Sequence, residues 1–138
     1  AWGLPVPTPV AARYRRAGLF YRADLITAEL PVRRTLAQAL QQASLPDGTW
    51  HAIGQCVGSL HARGVQHADL NAHNLLVGAS NDIYVLDFDR GRIHARGEWE
   101  RAVLARLRRS LLKVTAGLPA ERFTAAQWQV LLAGVATG

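Results

Sequence analysis

The stretch His67-Ala68-Asp69-Leu70-Asn71-Ala72-His73-Asn74-Leu75-Leu76-Val77 is followed, 13 residues after Asn74, by Asp87-Phe88-Asp89. Asn74 to Val77 reads as a short strand, Gly78 to Asp82 as a turn, and Ile83 to Phe88 as a second strand. A hairpin brings its two ends together. Asn74 at its start and Asp87 at its end are therefore expected side by side, with Asp69 on the preceding loop.

Three oxygen-bearing side chains on one helix–hairpin unit suit phosphoryl transfer. Magnesium prefers hard oxygen ligands and takes one or two from the protein, the rest from phosphates and water. The Asn74 carbonyl and the Asp87 carboxylate meet that need, and Asp69 is placed to accept the proton of an attacking hydroxyl. Such a site works mostly by positioning and charge neutralisation.

Working outward, Asp47 to Arg63 is expected to be a helix. Trp50, Ile53, Val57 and Leu60 recur at helical spacing, Asp47 serves as N-cap, and Gly64 stands where a left-handed C-terminal cap belongs. Val65 to Asp69 is a short extended segment. Further upstream, Leu4 to Pro9 is stiff and extended, since each proline fixes its own φ and pushes the preceding residue out of the helical region. Leu19-Phe20-Tyr21 and Asp24 to Thr27 read as a hairpin-like pair of strands that stops at Pro31, and Thr35 to Ala43 as a short helix. After Gly91 the helical pattern returns. Trp99, Val103, Leu104, Leu107 and Leu111 form an apolar stripe, and Arg101, Arg106, Arg108 and Arg109 fall largely off it. Thr124 to Gln127 has capping-box form and opens a last helix through Trp128, Leu131, Leu132 and Val135. The fold class expected is α+β, helices dominating a few antiparallel strands.

The whole composition agrees with one domain or a piece of one: 138 residues, 49% hydrophobic, enough for a single core. A lone cysteine, Cys56, excludes an internal disulfide framework and any Cys-rich zinc site, and among apolar neighbours it reads as a core thiol. No apolar run approaches the ~18 residues of a spanning helix, and no basic-then-apolar leader opens the chain, which is read as soluble and intracellular. The chain contains no methionine, so it is expected to start downstream of an initiator residue. Of 16 basic residues 15 are arginine, and the net charge of +6 favours anionic partners without choosing among phosphates, nucleic acid and an acidic lipid surface.

The pattern H-x-D-L-x-x-x-N followed by D-F resembles that of protein kinases and their small-molecule relatives. More narrowly, Gly64 to Val77, Tyr84 to Gly91 and the tract Arg106-Leu-Arg-Arg-Ser-Leu-Leu-Lys113 are similar to 3-deoxy-D-manno-octulosonic acid (Kdo) kinases. Gly3 to Pro7 and Leu19 to Leu25 are similar to that family's entry into the fourth strand of its small lobe. The resemblance implies a protein-kinase-like fold, with residues 1–30 a remnant of the small lobe and hinge and residues 31–138 the large lobe. It implies transfer of the ATP γ-phosphate to a hydroxyl of the Kdo sugar on lipid A, at the cytoplasmic face of the inner membrane. Asp69 then matches the base, Asn74 and Asp87 the Mg2+ ligands, Leu76 the apolar residue under the adenine, and Glu29-Leu30 the hinge. Ala68, Asn71 and Asp89 replace an arginine, a lysine and a glycine of the protein-kinase pattern, and all three departures fit a small-molecule kinase.

The resemblance also exposes gaps. Lys113, the sole lysine, lies on the wrong lobe to hold the α- and β-phosphates, and no G-x-G-x-x-G occurs. The chain as given is therefore expected to be N-terminally truncated, to show little phosphotransferase activity, and to self-associate through exposed strands.

Several residues carry two readings. His67 is a packed structural residue rather than a catalyst. Asn71 is read as an acceptor contact, His73 as either structural or an acceptor contact, and Asp89 as either a second metal contact or a turn-shaping hydrogen bond. Arginines 90 to 109 are either a solvated face or, at Arg90 and Arg92, forks for an anionic acceptor. Trp50, Trp99 and Trp128 are core anchors, and Trp2 has no evident partner. An aminoglycoside-type kinase would need clustered acids for a cationic acceptor. A non-catalytic basic module has only the charge in its favour, so no nucleic-acid partner is expected.

Overall fold

The structure, a computed structural model, describes residues 3–31 and 34–138, so Trp2 lies outside the described residues. Strands β1 (Pro9–Ala17) and β2 (Phe20–Thr27) form one antiparallel hairpin, with Arg13 opposite Asp24 and Ala17 opposite Phe20. This corrects the expected pairing. Residues 20–21 and 24–27 run together along β2, and the partner is Pro9–Ala17, across a turn at Gly18-Leu19. Every residue of β2 is exposed, so neither strand carries the apolar alternation that marks a half-buried strand.

Helix α1 (Leu36–Gln42) is capped by Thr35, whose hydroxyl accepts the Gln38 N–H while the Gln38 side chain accepts that of Thr35. Helix α2 (Asp47–Ala62) is the centre of the core: Trp50, Ile53 and Val57 are fully buried and Leu60 nearly so. Asp47 is its first helical residue, not the cap. Pro46 holds the cap position without a side-chain bond, and Asp47 instead places a carboxylate in the positive first turn. The helix ends at Gly64 as expected, with φ +69 and its N–H donated to the His61 carbonyl at 2.9 Å. A Cβ there would collide with the His94 carbonyl as well as strain the backbone.

The chain then enters β3 (Val65–Gln66), β4 (Leu75–Val77), β5 (Ile83–Val85) and β6 (Arg92–Ile93). β4 and β5 form the expected hairpin, Leu76 opposite Tyr84, and Gly78 N–H closes the turn onto Asp82 O at 2.8 Å. β6 pairs antiparallel with β3. That pairing carries no sequence signal, since a two-residue strand with both positions exposed shows no period.

Helix α3 (Trp99–Val114) buries Val103, Leu107 and Leu111, and α4 (Ala125–Thr137) opens on a Thr124/Gln127 capping box after a 3-10 turn at Ala120–Arg122. Helices α2 and α4 cross at backbone contact distance. A Cβ on Gly54 would meet the Leu131 carbonyl, and one on Gly134 the His51 carbonyl. Of the tryptophans, Trp50 and Trp128 are buried, whereas Trp99 is half-buried, edge-on to His61 at 5.1 Å between ring centroids. Cys56 is buried, and burial pushes its thiol up to about 12. Among the described residues no helix is long and apolar enough to cross a membrane.

Candidate active site

The loop between β3 and β4 is wired by short-range hydrogen bonds within it and by longer ones to Leu86, α1 and α3. His67 is 2% exposed; its Nε2 meets the Leu86 carbonyl at 2.8 Å and its Nδ1 accepts the Asp69 N–H at 3.3 Å. Because a backbone N–H can only donate, that pattern assigns the ring proton to Nε2. The imidazole thus pins the residue before Asp87 to the backbone of Asp69, and it packs on Phe88 with 4.7 Å between centroids. This is the structural role expected of it.

The Asp69 carbonyl accepts two amide N–H groups, from Asn71 Nδ2 at 2.9 Å and Asn74 Nδ2 at 3.1 Å. The Asn71 Oδ1 in turn accepts the His73 N–H at 2.8 Å. Leu70 and Ala72, fully buried between these polar residues, anchor the loop in the core. The Leu86 N–H donates to the Asn74 carbonyl at 2.8 Å, extending the hairpin ladder by one rung and setting Asp87 beside Asn74. Asp87 has φ +62, a left-handed conformation that costs a non-glycine residue roughly 1 kcal/mol or more and is concentrated at functional sites.

Asp69, Asn74 and Asp87 line one cavity of about 550 Å³, together with Asn71 and His73. Its far wall is α3, through Arg106, Arg109, Ser110 and Lys113. Arg106 Nη1 donates to Asp69 Oδ1 at 2.9 Å, and Ser110 Oγ accepts the Ala72 N–H at 3.0 Å. A second cavity of about 390 Å³ shares Asp69, Asp87 and Arg106 and adds His67, Asp89 and Arg90.

The remaining expected site residues lie apart. Arg92, on β6, lines a third cavity of about 590 Å³ with Gln66, Asp89 and Arg90 that reaches neither Asp69 nor Asp87. Leu76 is 7% exposed on β4, where its backbone bridges to Thr35. Glu29 is exposed and Leu30 half-buried, and neither lines these three cavities.

The cation-bearing wall goes beyond what the sequence pattern conveys, in which Arg106 and Arg109 are simply off the apolar stripe and Lys113 is misplaced. A signal is nonetheless present, because Ser110 is a small polar residue inside an arginine tract, one turn after Arg106 and beside Leu111.

The donor set at Asn74 and Asp87 suits a hard divalent cation. With the Asn74 nitrogen committed to the Asp69 carbonyl, its oxygen is the atom left for a ligand. Among the described residues no group of three or more His, Cys, Asp or Glu side chains is arranged to hold a metal. Two protein oxygens form a different kind of site, in which substrate phosphates and water complete the shell.

Residues 1–134 match the family described as Lipopolysaccharide kinase (Kdo/WaaP) family. The chain belongs to that family. It is 44% identical over 132 residues to a 3-deoxy-D-manno-octulosonic acid kinase of Photobacterium profundum, covering 96% of this chain and 56% of that protein. A protein of the same name from Xanthomonas axonopodis pv. citri is 48% identical over 113 residues, covering 80% and 45%. One from Pasteurella multocida is 40% identical over 137 residues, covering 96% and 56%. The chain spans about half the length of these curated relatives. The family resemblance drawn from the loop and hairpin motifs is thereby borne out.

Proposed function

We propose that the full-length protein containing this chain is a sugar kinase that moves the γ-phosphoryl group of ATP to a hydroxyl of Kdo on lipid A. The observation that carries this reading is the placement of Asp69, Asn74 and Asp87 around one cavity, on a hairpin and loop whose hydrogen bonds hold all three. The acceptor oxygen forms the new P–O bond, the bond to the ADP oxygen breaks, and Asp69 takes the hydroxyl proton. Asn74 and Asp87 are the residues that hold Mg2+, which when bound neutralises charge on the transferring phosphates. Asn71 and Asn74, both tied to the Asp69 carbonyl, keep the base from drifting as the acceptor enters.

In this reading the fold is protein-kinase-like, residues 31–138 form its large lobe, and residues 1–30 belong to a smaller lobe and hinge. Glu29 and Leu30 meet the adenine edge and Leu76 lies beneath its ring. Arg90, beside Asp87 in the second cavity, faces the transferring phosphates. The protein works at the cytoplasmic face of the inner membrane, held peripherally through its basic surface. The cations of α3 weigh against a cationic, aminoglycoside-type acceptor, and Asp69, Asp87 and Asp89 weigh against a nucleic-acid module.

The test is transfer of label from γ-labelled ATP to purified Kdo-lipid A by the full-length protein, with and without magnesium. Wild type is expected to label the lipid, and D69N to do so at least ~100-fold more slowly. No label with wild type, or undiminished label with D69N, overturns the reading.

A further inference from the structure

We propose that the face of α3 bearing Arg106, Arg109 and Lys113 is the subsite that binds the carboxylate of a sugar-acid acceptor; this rests on the kinase reading above. The three cations and Ser110 stand at positions i, i+3, i+4 and i+7, which places them along one side of a helix. All four line the cavity that holds Asp69. The neighbouring stripe of α3, Val103, Leu107 and Leu111, is locked in the core, so the cationic side cannot rotate away.

The helix is also tied directly to the loop it faces. Ser110 Oγ accepts the Ala72 N–H, and Arg106 holds one oxygen of Asp69. Arg106 is accordingly a positioning residue: it fixes Asp69 Oδ1 and leaves Oδ2 to receive the hydroxyl proton.

Arg109 and Lys113 have a different standing. Among the described residues neither side chain has a hydrogen bond or ion pair, although both line a cavity that contains two carboxylates. Counted formally, three cations face Asp69 and Asp87, an excess of one positive charge on the wall away from the hairpin. A carboxylate matches that excess, and a guanidinium presents two parallel N–H groups to it.

Distance along the helix orders the contacts. At a rise of ~1.5 Å per residue, Arg109 lies about 4.5 Å and Lys113 about 10 Å beyond Arg106. An acceptor with its hydroxyl at Asp69 and its carboxylate a few bonds away reaches Arg109 first, with Lys113 closing from beyond.

The test is an equilibrium titration of the full-length protein, which needs no turnover. The probes are free 3-deoxy-D-manno-octulosonic acid, its methyl ester and ADP. Wild type is expected to bind the acid more tightly than the ester. The double variant R109Q/K113Q is expected to bind the acid about 30-fold more weakly, having lost two charge-assisted hydrogen bonds in an open pocket. It should also lose the preference over the ester and keep its ADP affinity within about twofold. R108Q, on the same helix but outside the cavity, controls for net charge and should behave as wild type. Acid binding that is equal in wild type and the double variant, or absent from both, overturns the proposal. So does a loss confined to ADP, which would assign these cations to nucleotide phosphates. Failure of the kinase reading shows separately, as absence of phosphate transfer by wild type.

Discussion

Replacing His67 tests how the candidate base is held. The ring makes a 2.8 Å bond to the Leu86 carbonyl and a 3.3 Å bond from the Asp69 N–H, and it is 2% exposed against Phe88. His67→Ala removes both bonds, at ~1 kcal/mol for the shorter and ~0.5 for the longer. It also leaves a cavity the size of an imidazole, adding about 2 kcal/mol on the scale of large-to-small core substitutions. A total of ~3.5 kcal/mol follows, a large share of the roughly 5–15 kcal/mol typical of a domain. The two amide variants separate the bonds. A glutamine amide reaches where Nε2 stood and can still donate to Leu86, whereas an asparagine amide reaches only where Nδ1 stood. Because the Leu86 bond is the shorter, stability should fall in the order wild type, H67Q, H67N, H67A. Urea unfolding followed by tryptophan fluorescence reads this as midpoint shifts at constant slope. Asparagine matching or exceeding glutamine, or an alanine variant within about 0.5 kcal/mol of wild type, would refute the assignment of His67 as a clamp between Leu86 and Asp69.

Other expectations are independent of that clamp. Gly134→Ala forces a Cβ into the His51 carbonyl across the α2–α4 crossing and should cost about 2 kcal/mol or more in the same unfolding assay, because backbone cannot yield as a side chain can. Glu100 accepts two bonds from Arg96, each at 3.0 Å, and these hold its carboxyl below the ordinary value of 4.5. A depressed folded value means stability present above 4.5 and lost as pH falls through the folded value. The stability gap between wild type and E100Q should therefore be present at neutral pH and close on acidification. Cys56, buried and with its thiol pushed up to about 12, should resist a disulfide reagent at mildly alkaline pH until denaturant opens the core. On the β1–β2 hairpin, Phe20 and Tyr21 are 80% and 70% exposed. The 138-residue chain should therefore self-associate in sedimentation, and Phe20→Lys should reduce it.

Legibility of the fold tracks burial. The β4–β5 hairpin, the start of α1, α2 with its glycine stop, and α4 with its capping box stand out, because each joins an apolar run that packs in the core to a local chemical signal at its boundary. Thr35 with Gln38 and Thr124 with Gln127 are such signals, and so is Gly64. The β1–β2 hairpin lacks one half of that pairing. With both faces exposed its apolar residues follow no period, and the conspicuous Phe20-Tyr21 and Leu25-Ile26 pairs read as two strands instead of one.

Local chain geometry likewise decides which half of the site is readable. Asp69, Asn74 and Asp87 are brought together by a loop and a hairpin, so their proximity is a property of local chain geometry and follows from spacing alone. The wall opposite comes from α3, with Arg106 bonded to a residue 37 positions earlier in the chain. Periodicity identifies the buried stripe of such a helix but is silent about the rest, because a charged face that looks into a cavity and one that looks into solvent have the same sequence pattern. What separates them is the second element that faces the helix. Here the bond from Ala72 N–H to Ser110 Oγ supplies it, turning part of an arginine-rich helix into the floor of a site. A cation on that floor acts on Asp69 at 2.9 Å, and one on the outer face acts only through the screened field of the whole molecule. Two arginines of near-identical sequence context, Arg106 and Arg108, therefore carry different chemistry, and the difference arises only when α3 docks against the loop.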